Sequence, residues 1–198
     1  FRAFCRFAFK RLMYGWGSNG LYADFSPKPL PEESGNGFHI NISVQENSGK
    51  EVQNAFMAGI MAHIKEITAF LNPTENSYER LGSRKAPKYV SWAHENRTQL
   101  IRVPSAINSH KRFEVRSPDP MANPYIAYSL LIYAGLDGIE KDMKLCEPIE
   151  MNLSTASPEI TSKLERLPES LREAVELAKN SEFVKKHLSA DFTSFFKV

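Results

Sequence analysis

Cysteine is almost absent: the 198 residues contain two, Cys5 and Cys146, far apart and without metal-ligand spacing. That scarcity excludes a disulfide framework and suits a reducing, cytoplasmic setting. An excess of one charge is also missing. The chain sets 25 Lys and Arg against 23 Asp and Glu, a net charge of +2. Such a balance gives no reason to expect nucleic acid or a membrane surface as a partner. No long hydrophobic run is present either. The longest, over residues 126–136, falls well short of the ~20 residues that span a bilayer. Internal repeats, low-complexity tracts and a signal-peptide pattern are not visible. What remains is an ordinary globular composition, long enough for one substantial core.

The chain opens at Phe1 without an initiator Met, inside a segment, FRAFCRFAFKRLMYGW, that reads as a helix. That start predicts a cut within a longer protein. Its mixture of basic and aromatic residues fits an interfacial or transit helix, or a helix packed on the core. The core-packing reading is preferred. This first helix is expected over residues 2–14, ended by Gly15 and Gly17.

A strand is expected at 21–25, closed by Pro27-Lys28-Pro29. Residues 38–44 alternate: Phe38, Ile40, Ile42 and Val44 point one way, while His39, Asn41 and Ser43 point the other. The capping box at 48–51 opens a helix to about Leu71, with Val52, Phe56, Ile60, Ile64, Ile67 and Leu71 as its buried stripe. A loop is expected from 72 to about 88, followed by strands at 97–103 and 111–117. Asn123-Pro124 starts another helix, apolar nearly all round to Leu136 and therefore expected to be buried. Beyond Cys146 the composition shifts to Glu, Lys, Ser and Leu. Short helices are expected there at Ser157-Pro158-Glu159 and Pro168-Glu169, with Leu171 and Val175 as a narrow apolar face. Residues 1–148 thus form the main body and 149–198 a helical subregion of the same domain.

Two polar strand faces and three further arginines could carry chemistry. His39, Asn41 and Ser43 lie about 7 Å apart in succession, after a Gly35-Asn36-Gly37 turn whose missing side chains let the backbone approach a neighbour. A solvated edge strand would look the same. Arg112, Glu114 and Arg116 share one face of the last strand. That pattern is either a surface salt-bridge ladder, worth little, or a carboxylate metal ligand beside guanidiniums that hold an anionic substrate. Arg80, Arg97 and Arg102 add planar, permanently charged donors suited to carboxylates and phosphates. Arg97 and Arg102 differ in parity, so one of them must lie outside a regular strand.

Taken in order, four blocks resemble glutamine synthetase: GNGFHINIS, NPTENSYERL, NRTQLIRVP, and RFEVRSPDPMANPY running on to AGLDGI. ADFSPKPL also has a counterpart. The resemblance covers most of residues 21–148 and weakens in the tail. It implies an α+β fold, with a mainly antiparallel sheet forming part of the family's catalytic barrel and helices packed on the outer face. It also implies a ligase of glutamine biosynthesis and nitrogen metabolism. In that chemistry ATP phosphorylates the γ-carboxylate of glutamate, and ammonia displaces phosphate from the acyl phosphate, with Mg or Mn orienting the transfer. His39 and Glu114 match metal ligands. Gly35, His39, Arg80 and Arg116 match substrate-binding positions. Ser43, Arg97 and Arg102 match nucleotide-binding ones, with Arg97 and Arg116 also in catalytic roles. The whole protein would assemble as a homo-oligomeric ring.

The sequence departs from the family in four respects. Further metal-binding glutamates and a small N-terminal domain would lie upstream, so this stretch alone is not expected to turn over. Lys85 stands where the loop after Arg80 carries a glutamate that helps deprotonate ammonium, which points to another amine or another acid. Asn41 and Ser34 replace a frequent His and Asn. Ser154 replaces a modifiable tyrosine, so nucleotidylation there is not expected. Besides glutamine synthesis, the alternatives are a γ-glutamyl ligase using another amine and a non-catalytic structural relative.

Overall fold

The structure is a computed structural model describing residues 19–21, 23–45, 52–105, 111–188, 192 and 196. The expected helix at 2–14 and the capping box at 48–51 lie outside the described residues. In chain order the elements are β1 (Ile40–Ile42), α1 (Gln53–Leu71), α2 (Glu75–Arg80), β2 (Trp92–His94) and β3 (Ile101–Val103). They continue as β4 (Phe113–Val115), α3 (Pro124–Glu140), α4 (Pro158–Thr161), α5 (Leu171–Asn180) and α6 (Glu182–His187).

The four strands run in the order β1-β4-β3-β2. β4 pairs antiparallel with both β1 and β3, whereas β2 and β3 are parallel. The fold is mixed α+β, and the sheet is mixed and, among the described residues, open. Two of its three pairings are antiparallel, and the third adds a parallel pair that the sequence did not predict. The parallel pair arises because residues 95–100 carry the chain back to restart in the same direction. Glu95 takes a left-handed φ of 52° there, and Asn96 Oδ1 accepts from the Thr98 amide at 3.0 Å. Expected strands are trimmed to three residues each, since pairing persists only where register holds, Ile40 opposite Val115 and Ile42 opposite Phe113. The described residues of 21–25 form no strand.

Phe113, Val115 and Ile101 turn one face of the sheet inward and are fully buried. They meet α1, whose expected stripe from Val52 to Leu71 is also buried. The Phe56 and Phe113 rings lie 6.1 Å apart at a tilt, an attractive arrangement for two aromatic quadrupoles. Burial of each such side chain contributes on the order of 1.5–3 kcal/mol. α1 crosses α3 at backbone distance: a Cβ on Gly59 would meet the Ala134 carbonyl oxygen, and one on Gly138 would lie 2.7 Å from the Gly59 nitrogen. Asn123 caps α3 by accepting from the Tyr125 amide, with Pro124 in the first turn.

α3 is buried on one side only. Ala127, Leu130, Leu131 and Ala134 face α1 and the core, while Ile132, Tyr133 and Leu136 are exposed, which corrects the expectation of burial all round. In the tail, Leu171, Ala174 and Val175 of α5 pack beside α1. Ser170 and Ser181 cap α5 and α6 through their side-chain oxygens. No helix among the described residues is long and apolar enough to cross a membrane.

Candidate active site

Glu114 sits at the centre of β4, turned away from Phe113 and Val115 by strand alternation. His39 immediately precedes β1, the strand paired to it. Its Nδ1 lies 3.0 Å from Glu114 Oε1. The other carboxylate oxygen accepts from Arg116 Nη1 at 2.9 Å and from Arg102 Nη1 at 3.3 Å. Arg102 also donates to Glu95 Oε2 at 2.6 Å. Arg116 donates through Nε to the Arg97 carbonyl at 3.1 Å. Arg80, the last residue of α2, reaches across to the Ser117 carbonyl at 2.6 Å and the Arg116 carbonyl at 3.1 Å. Two bonds from Asn72 Nδ2 hold that segment in place, to the Ser117 carbonyl at 2.9 Å and to Asp119 Oδ2 at 2.8 Å.

The parity difference between Arg97 and Arg102 resolves simply: Arg102 lies within β3 and Arg97 in the loop before it. Both line one cavity of about 380 Å³ with Gly35, His39, Arg80, Glu114 and Arg116. Gly35 and Gly37 are required there for space. A Cβ on Gly35 would lie 2.9 Å from Arg80 Cγ, and one on Gly37 would lie 2.6 Å from His39 Nε2. Ser43, beyond the end of β1, is exposed and does not line the cavity.

Charge in this hollow is lopsided. Arg80, Arg84, Lys85, Arg97, Arg102 and Arg116 line it against Glu114 as the lining carboxylate. Burial, and then the Arg116 and Arg80 guanidiniums, hold the His39 imidazole below its ordinary pKa against the pull of Glu114. Burial works against ionised Glu114. Its bond to Arg116 and the charges of Arg116 and His39 outweigh that and hold the carboxyl below its usual range. Arg80, 2% exposed, is drawn down by burial to about 10, with Asp119 opposing the shift.

The rim comes from two segments, residues 28–34 and 81–87, in which the sequence singled out Ser34 and Lys85 but not the contacts that join them. Arg84 lies at the rim with a left-handed φ of 54° and donates to the Glu32 carbonyl at 2.6 Å. Lys28 Nζ bonds the Glu33 carbonyl and, at 3.0 Å, Ser83 Oγ. Nothing in composition marks these contacts, because they join loops about 50 residues apart. Glu95, the partner of Arg102, was likewise missed. Its signal would have been the loop between two parallel strands.

An imidazole and a carboxylate are suitable donors for Mg or Mn, and His39 with Glu114 would hold such an ion. They are two donors only. No group of three or more His, Cys, Asp or Glu side chains able to hold a metal gathers among the described residues.

Fold and cavity define a class: an α+β scaffold with an arginine-rich hollow beside one imidazole–carboxylate pair. Residues 6–198 match the family described as "Glutamine synthetase, catalytic domain". The chain belongs to the glutamine synthetase family. Glutamine synthetase of Pyrococcus furiosus is 42% identical over 189 residues, covering 89% of this chain and 43% of that protein. The Methanosarcina mazei glutamine synthetase is 38% identical over 193 residues, again covering 89% and 43%. The chain therefore spans under half the length of these curated relatives. Among solved structures, apo GmaS without ligand superposes with a TM-score of 0.79 at 30% identity, covering 96% of this chain and 47% of that one. A GmaS/ADP complex gives a TM-score of 0.75 at 31% identity, covering 90% and 45%.

Proposed function

We propose that this chain is the C-terminal part of the catalytic domain of an ATP-dependent ligase that joins an amine to the γ-carboxylate of glutamate through an acyl phosphate. The observation that carries the reading is the meeting of His39, Glu114, Arg80, Arg97, Arg102 and Arg116 at one cavity, side chains that come from several separate elements. A purely structural relative would have no use for four guanidiniums gathered round one carboxylate, two of them, Arg80 and Arg116, buried, an arrangement that is costly without anionic partners.

Each group has a task its geometry suits. Gly35 leaves room for an amino acid to approach, and Arg80 and Arg116 hold its carboxylates. Arg97 and Arg102 attract the phosphates and stabilise the charge that develops as the phosphoryl group moves. Ser43 would lie toward the nucleotide in the complete site. His39 and Glu114 would hold Mg or Mn, which neutralises phosphate charge when bound. The lowered pKa values of both keep His39 neutral and Glu114 ionised, the forms a cation requires.

The four-stranded sheet would be one arc of a barrel completed by the rest of the whole protein. Family membership supports a homo-oligomeric ring with a cytoplasmic place in nitrogen metabolism. The curated relatives favour ammonia, and hence glutamine, as amine and product. Lys85 and the likeness to GmaS favour a second reading, a γ-glutamyl ligase for another amine. A cation at the rim repels ammonium.

The test is phosphate release from ATP by the whole protein that carries this sequence, with and without glutamate and an amine. Glutamate-dependent release that needs Mg or Mn is expected. Arg97→Ala should lower kcat by roughly 10²–10³-fold, the usual effect of removing one preorganised transition-state donor. ATP hydrolysis indifferent to glutamate, or no ATP binding at all, would remove the basis of the proposal.

A further inference from the structure

A second, wider hollow of about 730 Å³ adjoins the cavity, and Ser34, Arg84, Lys85 and Arg97 line both. Three of the four residues in this common wall are cations. Lys85 has no hydrogen bond or ion pair with another described residue, and the Arg97 backbone carbonyl, not its guanidinium, carries that residue's bond. Arg84 uses Nη2 on the Glu32 carbonyl and keeps further donors. The acids of the wider hollow are already matched. Glu150 lies 2.7 Å from His94, and Glu95 lies 2.6 Å from Arg102. The uncommitted charge where the two hollows meet is positive.

Size points the same way. Ammonia occupies about as much space as a water molecule, roughly 30 Å³ in the liquid, whereas sites for organic molecules run to about 300–1,000 Å³. The hollow is largely open to solvent and leaves room at the common wall for an organic amine.

We propose that the wider hollow is the amine subsite, and that its amine carries a carboxylate which Lys85 and Arg84 hold at the common wall. The substrate class is therefore an amino-acid-like amine, and Lys85 is a specificity-determining residue. This rests on the γ-glutamyl ligase reading. A carboxylate on the amine gains two charge-assisted contacts. An alkylamine gains neither, and a polyamine brings a second cation toward two more. With the carboxylate held, the free amine nitrogen forms a C–N bond to the γ-carbonyl carbon of the acyl phosphate. The C–O bond to phosphate breaks, and phosphate leaves with the electron pair and takes up the proton shed by nitrogen.

The experiment measures glutamate- and ATP-dependent phosphate release by the whole protein with ammonia, methylamine, putrescine, glycine and β-alanine, at matched free-base concentration. Glycine or β-alanine should give kcat/KM at least 10-fold above methylamine and putrescine. Lys85→Gln should raise KM for the carboxylate-bearing amine about 10-fold with less change in kcat. Lys85→Glu should invert the ranking toward putrescine. Faster turnover with ammonia or methylamine than with either amino acid overturns this inference and leaves the ligase reading intact. So does an unaltered ranking in both variants. No glutamate-dependent release with any amine overturns both.

Discussion

Arg80 and Asp119 illustrate what individual residues contribute beneath the cavity. Asp119 is fully buried, accepts from Asn72 at 2.8 Å and from the Met121 amide at 3.0 Å, and lies in the field of Arg80. Burial nevertheless dominates and raises its pKa above the ordinary 3.8. The folded state therefore holds the Asp119 proton more tightly than the unfolded chain. The associated stabilisation is full below the ordinary value and is lost as pH rises through the folded one. Asp119→Asn should remove that slope, so the difference in urea midpoint between the two proteins should change across the acid range. Parallel profiles would contradict the assignment. Arg80, Arg97, Arg102, Glu114 and Arg116 were legible because the four matching blocks, and on β4 also strand alternation, point to them, whereas Arg84, which also lines the cavity, was not. Asp119 was not: in sequence it is one acid in a Pro-Asp-Pro turn, and its burial depends on Asn72, 47 positions earlier.

At the scale of elements, the long helices were legible, and so were α4, which starts after Ser157, and α5, whereas α2 and α6 were not. α1 announces itself through apolar spacing, and α3 through apolar spacing and its Asn123 cap, while α1 begins after Val52 without a side-chain cap. α2 was read as loop because six residues carry little periodicity. Its capping box uses Thr74 with Ser77 in place of the usual acidic partner. β2 was missed for a similar reason, since Trp92–His94 acquires strand character only by pairing with β3. The crossing of α1 and α3 gives an element-level prediction. Gly59→Ala would force its new methyl against the Ala134 carbonyl oxygen and the Gly138 backbone, and backbone cannot rotate aside as a side chain can. A loss of about 1–3 kcal/mol is expected, read as a lower urea midpoint with an unchanged m-value. Asn123→Ala at the start of α3 should cost about 1 kcal/mol by loss of its cap. A wild-type midpoint in either variant would count against that account of the helix.

At the scale of the whole molecule, the cavity is cationic and offers one imidazole and one carboxylate among the described residues, whereas Mg is satisfied by about six ligands. The 198-residue chain by itself is therefore expected to show no glutamate-dependent phosphate release above background. Turnover by the isolated chain in a coupled phosphate assay would refute that expectation. A last consequence concerns the rim. Residues 28–34 and 81–87 are stitched by Lys28 to Ser83 and by Arg84 to the Glu32 carbonyl, while Asn76 accepts from the Lys28 amide at 2.7 Å at the base. Neither lip can be displaced without dragging the other, so the doorway behaves as one coupled frame. Damage to a single stitch, such as Lys28→Ala, would be felt by ligands that never touch Lys28.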